Sequence, residues 1–368
     1  MFTVGKSQVP EFCLLKRTSM FRNFINHFSN NIGIDLGTAN TLVYLKDHGI
    51  IINEPSVVAV NTKTDQIVAV GQAAKEMMGR TPGHVKSVCP VVDGVISDYE
   101  VTEEMLTYLI KNTEQISKKF FKPRVVVGVP SGVTNVESRA VYDAATSAGA
   151  REVYLIEEPL AAAIGIGLPV REARGSMIID IGGGTTDIAV IALGGIVRSK
   201  NMKIAGVRFN QDIITYIRDE FKLLIGERTA ENVKIAVGSV LQGESEEVLV
   251  RGRDIVSGLP REVVITDADV REAIMHSVAV LVDGAKEVLE TTPPEILSDI
   301  MNRGMYITGG GALLRGLDVL LGEVLKIPVF VAEDPLTAVA RGTGFVLDDI
   351  DNYKEMLLPI DELAIPKI

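Results

Sequence analysis

Short apolar runs, punctuated by glycine- and aspartate-containing turns, alternate along this chain with longer stretches whose apolar residues recur at helical spacing. Residues 31–45 (NIGIDLGTANTLVYL) and 177–191 (MIIDIGGGTTDIAVI) each read as two strands joined by a tight glycine-rich turn. Another hairpin is predicted where 57–60 and 67–70 flank NTKTDQ, and a further one over 246–265 around Ser257-Gly258-Leu259-Pro260. Residues 125–129 form an unbroken apolar run, the pattern of a strand buried on both faces. Helical periodicity covers 101–116, with Met105, Leu106, Leu109 and Ile110 on one face, and a longer helix is expected at roughly 209–224. Thr134 and Glu137 have the spacing of a capping box, which assigns Glu137 to the backbone rather than to chemistry. A strand at 305–307 leads through Thr308, Gly309, Gly310, Gly311 and Ala312 into a helix carrying Leu313, Leu314 and Leu317. Strands and helices interleaved in this way predict an α/β fold.

Both glycine-rich hairpins follow an aspartate, Asp35 in the first and Asp180 in the second. Glycine lets the backbone take positive φ and approach a ligand with no Cβ in the way. Successive backbone N–H groups can then converge on an anion such as phosphate. An aspartate at the end of the leading strand is placed to hold an accompanying Mg²⁺, through water. The alternative is a tight hairpin whose aspartates cap turns. A second pair of look-alikes follows: residues 157–163 (EEPLAAA) are echoed by 333–339 (EDPLTAV). Two motifs, each occurring twice and in the same order, suggest a duplicated fold with a ligand clamped between its halves.

Five segments, DLGTANT, EEPLAAAIG, DIGGGTTD, TGGGALLRG and EDPLTAVARG, resemble the phosphate-1, connect-1, phosphate-2, adenosine and connect-2 motifs of the actin, sugar-kinase and heat-shock-chaperone superfamily. Within it the chain is most similar to the MreB family of bacterial rod-shape-determining actins, over residues 32–346. The resemblance implies an actin-like ATPase fold of two duplicated domains, each a mixed β-sheet flanked by helices, plus two small inserted sub-domains. It implies Mg²⁺ and ATP in the central cleft, with Asp35 and Asp180 managing the metal. The amides of Gly37, Thr38, Ala39, Asn40, Gly182, Gly183, Gly184 and Thr185 would hold phosphates. Gly206, the segment Glu231-Asn232-Val233-Lys234, and Gly309, Gly310, Gly311 and Ala312 would surround the nucleoside. Glu231 and Lys234, at i and i+3, otherwise read as an ordinary surface ion pair. Glu158 precedes Pro159 and is expected to be extended before a helix at 160–164, where Ala161, Ala162 and Ala163 permit close packing at the domain junction. It matches the glutamate that positions the water attacking the γ-phosphate, and Thr185 the threonine that assists.

A length of 368 residues exceeds what one compact core holds, so two domains are expected: 31–172 with 341–368, and 173–340, with small insertions at about 57–91 and 207–270. A net charge of −11 with pI near 5.0 argues against generic nucleic-acid binding. Cys13 and Cys89 cannot form a framework of bridges. Residues 1–30 read as an extension outside the fold. In it Phe21, Phe24, Ile25 and Phe28 fall at i, i+3, i+4 and i+7, with Arg22, Asn23, Asn26 and His27 opposite. Such a basic amphipathic helix can lie in a membrane interface, or dock on the protein's own surface. Met20, just before the stripe, is an alternative start. In KKFFKPR, Phe120 and Phe121 sit in a basic loop that resembles a membrane-insertion loop; one ring folding back into the core is the other reading.

There is no GxxxxGK[ST], no GxGxxG between strand and helix, no HExxH and no GxSxG, so P-loop, dinucleotide-fold, zincin and serine-hydrolase chemistries find no support. The expectation is a slow ATPase whose bound nucleotide switches polymerisation. Its partners would be its own copies in filaments, the inner face of the cytoplasmic membrane and the lateral wall-elongation machinery, with no nucleic acid. It would sit in the cytoplasm at that membrane. A sugar-type kinase and a chaperone-like ATPase of the same superfamily are the alternatives.

Overall fold

The computed structural model describes residues 29–80, 82–117, 121–243 and 246–359. Its strands, in chain order, begin with a meander of β1 (Ser29–Leu36), β2 (Asn40–Leu45) and β3 (Gly49–Pro55). A small sheet of β4 (Val58–Asn61), β5 (Gln66–Val70) and β6 (Val85–Val88) and a short pair, β7 (Val91–Val92) with β8 (Val95–Ile96), come next. Then follow β9 (Phe121–Val129) and β10 (Glu152–Glu157). The second half repeats the pattern with β11 (Ser176–Ile181), β12 (Thr186–Ala192) and β13 (Gly195–Met202), an inserted sheet of β14 (Leu223–Leu224), β15 (Glu247–Asp254) and β16 (Pro260–Thr266), and finally β17 (Met305–Thr308) and β18 (Val329–Val331).

The duplication read from the motifs is visible in the hydrogen bonding. One sheet runs β10-β9-β1-β2-β3 and the other β18-β17-β11-β12-β13. In each, an antiparallel three-strand meander is extended by two parallel strands on the side of its first strand. The equivalents β1 and β11 lie in the middle. Every residue of β11 and β12 is buried, which explains why, apart from the polar residues Ser176, Asp180, Thr186 and Asp187, their sequences are apolar on both faces rather than alternating.

Helices Tyr99–Ser117 and Asn135–Ser147 cover the outer face of the first sheet, where Met105, Leu106, Leu109 and Ile110 pack against Ile32, Ile34 and Val127. Helices Gly206–Phe221 and Asp267–Glu290 do the same for the second. Between the sheets lies a pair of helices, Glu158–Gly165 and Ala338–Asp348, sharing one core with Val126, Ile178 and Ala189 from the facing strands. Their contact is made by small residues: a methyl on Gly165 would overlap the carbonyl of Ala338, and one on Gly342 the carbonyl of Ala161. The first echoed motif opens one of these helices and the second leads into the other through the 3-10 turn Pro335–Thr337, so the repeat in sequence meets as a helix crossing in space.

Three local expectations are corrected. The long helix stops at Phe221, because Lys222 takes a left-handed conformation (φ 54°) and Leu223–Leu224 pairs with β15 as β14. The junction helix starts at Glu158, and the extended residue before it is Glu157. After the glycine triplet a single 3-10 turn, Gly310–Leu313, precedes the helix Leu317–Leu325, so Leu313 and Leu314 are not helical residues of that element. The capping box at Thr134 and Glu137 is present in both directions, the Thr134 N–H donating to the Glu137 carboxylate (2.8 Å) and the Glu137 N–H to Thr134 Oγ1 (3.2 Å).

Candidate functional site

The two aspartate-led turns meet. The turn between β1 and β2 carries Gly37, Thr38 and Ala39, and its shape is fixed by Ser56, whose hydroxyl donates to the Gly37 carbonyl at 2.5 Å. The turn between β11 and β12 is closed by the Gly182 N–H donating to the Thr185 carbonyl at 2.9 Å. A Cβ on Gly183 would lie 2.6 Å from the Ala39 Cβ, and one on Gly184 2.5 Å from Thr38 Oγ1. Only glycine permits so close an approach of one half to the other. Asn40, which opens β2, turns its side chain aside to Asn53 (2.9 Å).

Behind the turns four carboxylates converge. Asp35 is half-buried, and Glu158, Asp180 and Asp187 are 9 %, 7 % and 1 % exposed, so the group sits almost out of water. Asp35 and Asp180 occupy equivalent places near the ends of β1 and β11, and Glu158 is the first residue of the junction helix. Burial pushes the Asp35 carboxyl up to about 7. Burial also raises Asp180 well above the usual carboxylate range, helped by repulsion from Asp35 and Asp187. Glu158 is raised likewise, by burial first and then by Asp187, Asp35 and Asp180. Asp187 is raised by burial, partly offset by the Asn201 amide (3.0 Å) and by the Ser131 N–H donated across from the other half (2.8 Å). None of the four makes an ion pair among the described residues. Buried acids that repel one another with no cation between them are the electrostatic signature of a site for one. Among the described residues no three His, Cys, Asp or Glu side chains are grouped to coordinate an ion directly. The donor set therefore suits Mg²⁺, which keeps most of its waters, better than a cation that needs a full cage of protein ligands.

The second half supplies a further wall. Gly206, at the start of helix Gly206–Phe221, donates its N–H to the Gly182 carbonyl (3.1 Å), and its own carbonyl accepts from Lys234 Nζ (2.9 Å). Burial lowers the Lys234 ammonium below its usual value. Lys234 and Glu231 thus do not pair with each other; Glu231 is bonded to Lys75 of the first half. Asn232 is exposed, whereas Val233 is 2 % exposed and packs in the core with Ala230 and Val237. Gly309 lies against the end of β11, where a Cβ would come 2.5 Å from Asp180 Oδ1, and Gly311 is filled by the side chain of Ile181. Ala312 is core, and Gly310 is the exposed member of the triplet.

Thr185 is 7 % exposed and lies beside Gly94, whose N–H donates to Thr38 Oγ1 at 3.1 Å. Asp93-Gly94, Ser131, Ser56 and Asp187 all reach the site, and none was assigned to it from sequence. The Asp-Gly turn between apolar pairs and the second aspartate of DIGGGTTD were the available signals. Glu157 accepts from the Gly132 N–H at 3.4 Å, and its carboxyl is raised by burial and, to a lesser extent, by Asp187. Of the membrane candidates, Phe21, Phe24, Ile25, Phe28 and Phe120 lie outside the described residues; Phe121 opens β9 and is 43 % exposed. No described helix is long and apolar enough to cross a membrane.

Comparison with known proteins gives a consistent picture. The family model described as MreB/Mbl protein matches residues 29–355. The chain is 53 % identical over 332 residues to the cell shape-determining protein Mbl of Bacillus subtilis, covering 90 % of this chain and 99 % of that one. It is 52 % identical over 339 residues to the cell shape-determining protein MreB of Escherichia coli, covering 91 % and 98 %. Among solved structures, MreB5 of Spiroplasma citri bound to ADP superposes with a TM-score of 0.84 at 40 % identity, covering 89 % of this chain and 98 % of that one. The same protein bound to AMPPNP gives 0.83.

Proposed function

Because the chain belongs to the MreB/Mbl family, we propose that it is a bacterial actin-like protein whose nucleotide-dependent filaments direct cell shape at the inner face of the cytoplasmic membrane. The observation that carries this reading is the meeting of two glycine turns, one from each half, over a buried group of unpaired carboxylates. We assign residues 31–172 with 341–368 to one half and 173–340 to the other. The helix Ala338–Asp348 supports that division, since it packs beside β1 with Gly33 against Thr343.

Bound Mg·ATP would supply a phosphoanhydride to be cleaved and a divalent charge for the carboxylates. The turn amides of Gly37–Asn40 and Gly182–Thr185 would hold its phosphates, and Asp35 and Asp180 would meet the hydrated metal. Glu158 and Thr185 would orient the attacking water. Burial, with Asp187, Asp35 and Asp180 nearby, raises the Glu158 carboxyl above the usual carboxylate range, which makes its ionised form a stronger acceptor for the proton of that water. Both turns must sit on the same polyphosphate, so occupancy favours the closed arrangement of the halves, which is the physical basis of a switch.

Self-association is supported by an exposed apolar tip on the β15–β16 hairpin. Ile255, Val256 and Leu259 are 45 %, 85 % and 65 % exposed, held in place because Asp254 accepts from the Val256 and Ser257 N–H groups, with Arg253 beside them in sequence. β15 spans about 25 Å from its base beside Arg315 to that tip. A surface groove of about 500 Å³, lined by Val319, Ile327 and Val329 with Asp318, Glu323 and Lys326, offers an apolar floor with a mixed-charge rim. A knob and a groove on one chain make a heterologous contact, which propagates as a filament when it does not close. Membrane attachment is supported by register: Ser29, the residue after the Phe21–Phe28 stripe, pairs with Phe121, so both candidate membrane elements leave the fold at one point. Electron microscopy of the protein with ATP on anionic lipid tests the reading. Membrane-bound filaments are expected; their absence across conditions, with nucleotide bound, would overturn it.

A further inference from the structure

The mouth of the cleft is bridged by an ion pair between its halves. Helix Gln72–Met77, packed on the small sheet β4–β6, presents Lys75; helix Glu227–Val237, in the second half, presents Glu231. Lys75 Nζ lies 3.4 Å from Glu231 Oε2, and both side chains are one-third exposed (33 % each). The lysine is anchored. Its helix starts from Gly71 at φ 69°, the Gln72 N–H donates to Glu54 Oε2 at 2.7 Å, and Ala74 is fully buried. One turn beyond Glu231, Lys234 bonds the Gly206 carbonyl beside the phosphate turn, so the helix face bearing Glu231 is the one turned to the cleft. A carboxylate accepts through two oxygens. With Oε2 given to Lys75, Oε1 has no partner among the described residues and is available to accept from a ribose hydroxyl.

We propose that Lys75 is a positioning residue of the nucleotide site. It reaches from the opposite half to hold Glu231 toward the ribose and close the cleft mouth, and its ion pair thereby sets how long nucleotide stays bound. This rests on the nucleotide reading above. A partly exposed pair contributes modestly, so its loss should speed release about two- to fivefold. The effect should fade as salt rises, because the screening length falls from about 10 Å at 0.1 M to about 3 Å at 1 M.

The test is release of tritiated ADP from the full-length chain, chased with excess unlabelled ADP, in wild type, Lys75→Met, Lys75→Arg, Glu231→Gln and the Lys75→Met/Glu231→Gln double variant. Lys75→Met is expected to speed release two- to fivefold at low salt, with the difference collapsing at 1 M, and Lys75→Arg to keep the wild-type rate. On the Glu231→Gln background, Lys75→Met should add nothing, since Lys75 acts through that carboxylate. Unchanged release in Lys75→Met, or the same acceleration with Glu231 already removed, overturns the proposal. Failure of the wild type to bind ADP at all is a separate outcome: it refutes the nucleotide reading, and the proposal falls with it.

Discussion

At the scale of single residues the site is defined by acids that burial makes reluctant to ionise. Glu158→Gln should keep ADP and AMPPNP affinity within about twofold while lowering phosphate release roughly a hundredfold, the usual contribution of a positioned base; unchanged turnover would remove Glu158 from the chemistry. Asp35 offers a pH test. Its carboxyl rises from 3.8 to about 7 on folding, so between these values the folded chain binds more protons than the unfolded one. Stability from this group is therefore present in acid and lost as pH rises through 7. Without nucleotide, the thermal midpoint should fall between about pH 4 and pH 7, and Asp35→Asn should flatten that fall; parallel curves would count against it. Part of this was legible in the chain: the repeated aspartate-led turns pointed to Asp35 and Asp180, and the resemblance of 157–165 to a connect-1 motif pointed to Glu158. Asp187 closes the second motif, but its partner Ser131 was not legible, because a hydrogen bond between residues 56 apart has no local signal.

At the scale of elements, the junction helices carry the argument. Their crossing depends on Gly165 and Gly342, where a side chain would overlap a partner carbonyl. Gly342→Val should cost roughly 3 kcal/mol or more by overpacking against backbone that cannot yield, read as a thermal midpoint lower by several degrees. A midpoint within one degree of wild type would show that the helices can separate freely. The same elements show where sequence reading succeeds. Hairpins with glycine turns, the capping box at Thr134 and the amphipathic helix over 101–116 form as expected, since each is encoded by residues within a turn or two of one another. The misplaced end at Leu224 is the reverse case. Two leucines that continue an apolar period were claimed instead by β15, a partner supplied from more than twenty positions away.

At the scale of the whole molecule, the halves share the apolar core around the junction helices, and across the cleft they are joined by the two glycine turns, the Ser131–Asp187 bond and the ion pairs Lys75–Glu231 and Lys203–Asp93. Closure is thus assembled from contacts that break without unfolding either core. Assembly beyond one chain is assigned to exposed apolar points. Val256→Asp with Leu259→Asp should abolish nucleotide-dependent sedimentation while leaving ADP binding intact; undiminished pelleting would move the interface elsewhere. Phe121→Ser should reduce association with anionic liposomes at least severalfold without changing ATP turnover, and equal binding would return that ring to another contact.

By itself the chain determined its fold class, its internal duplication and the two aspartate-led glycine turns, because glycine turns, strand-ending aspartates and helix caps act over a few positions. Only the tertiary structure decided that the two turns touch, that Glu231 answers Lys75 rather than Lys234, and that Val233 faces inward. Those outcomes depend on which surfaces the two sheets bring together, and that is set by packing summed over both cores rather than by any one segment.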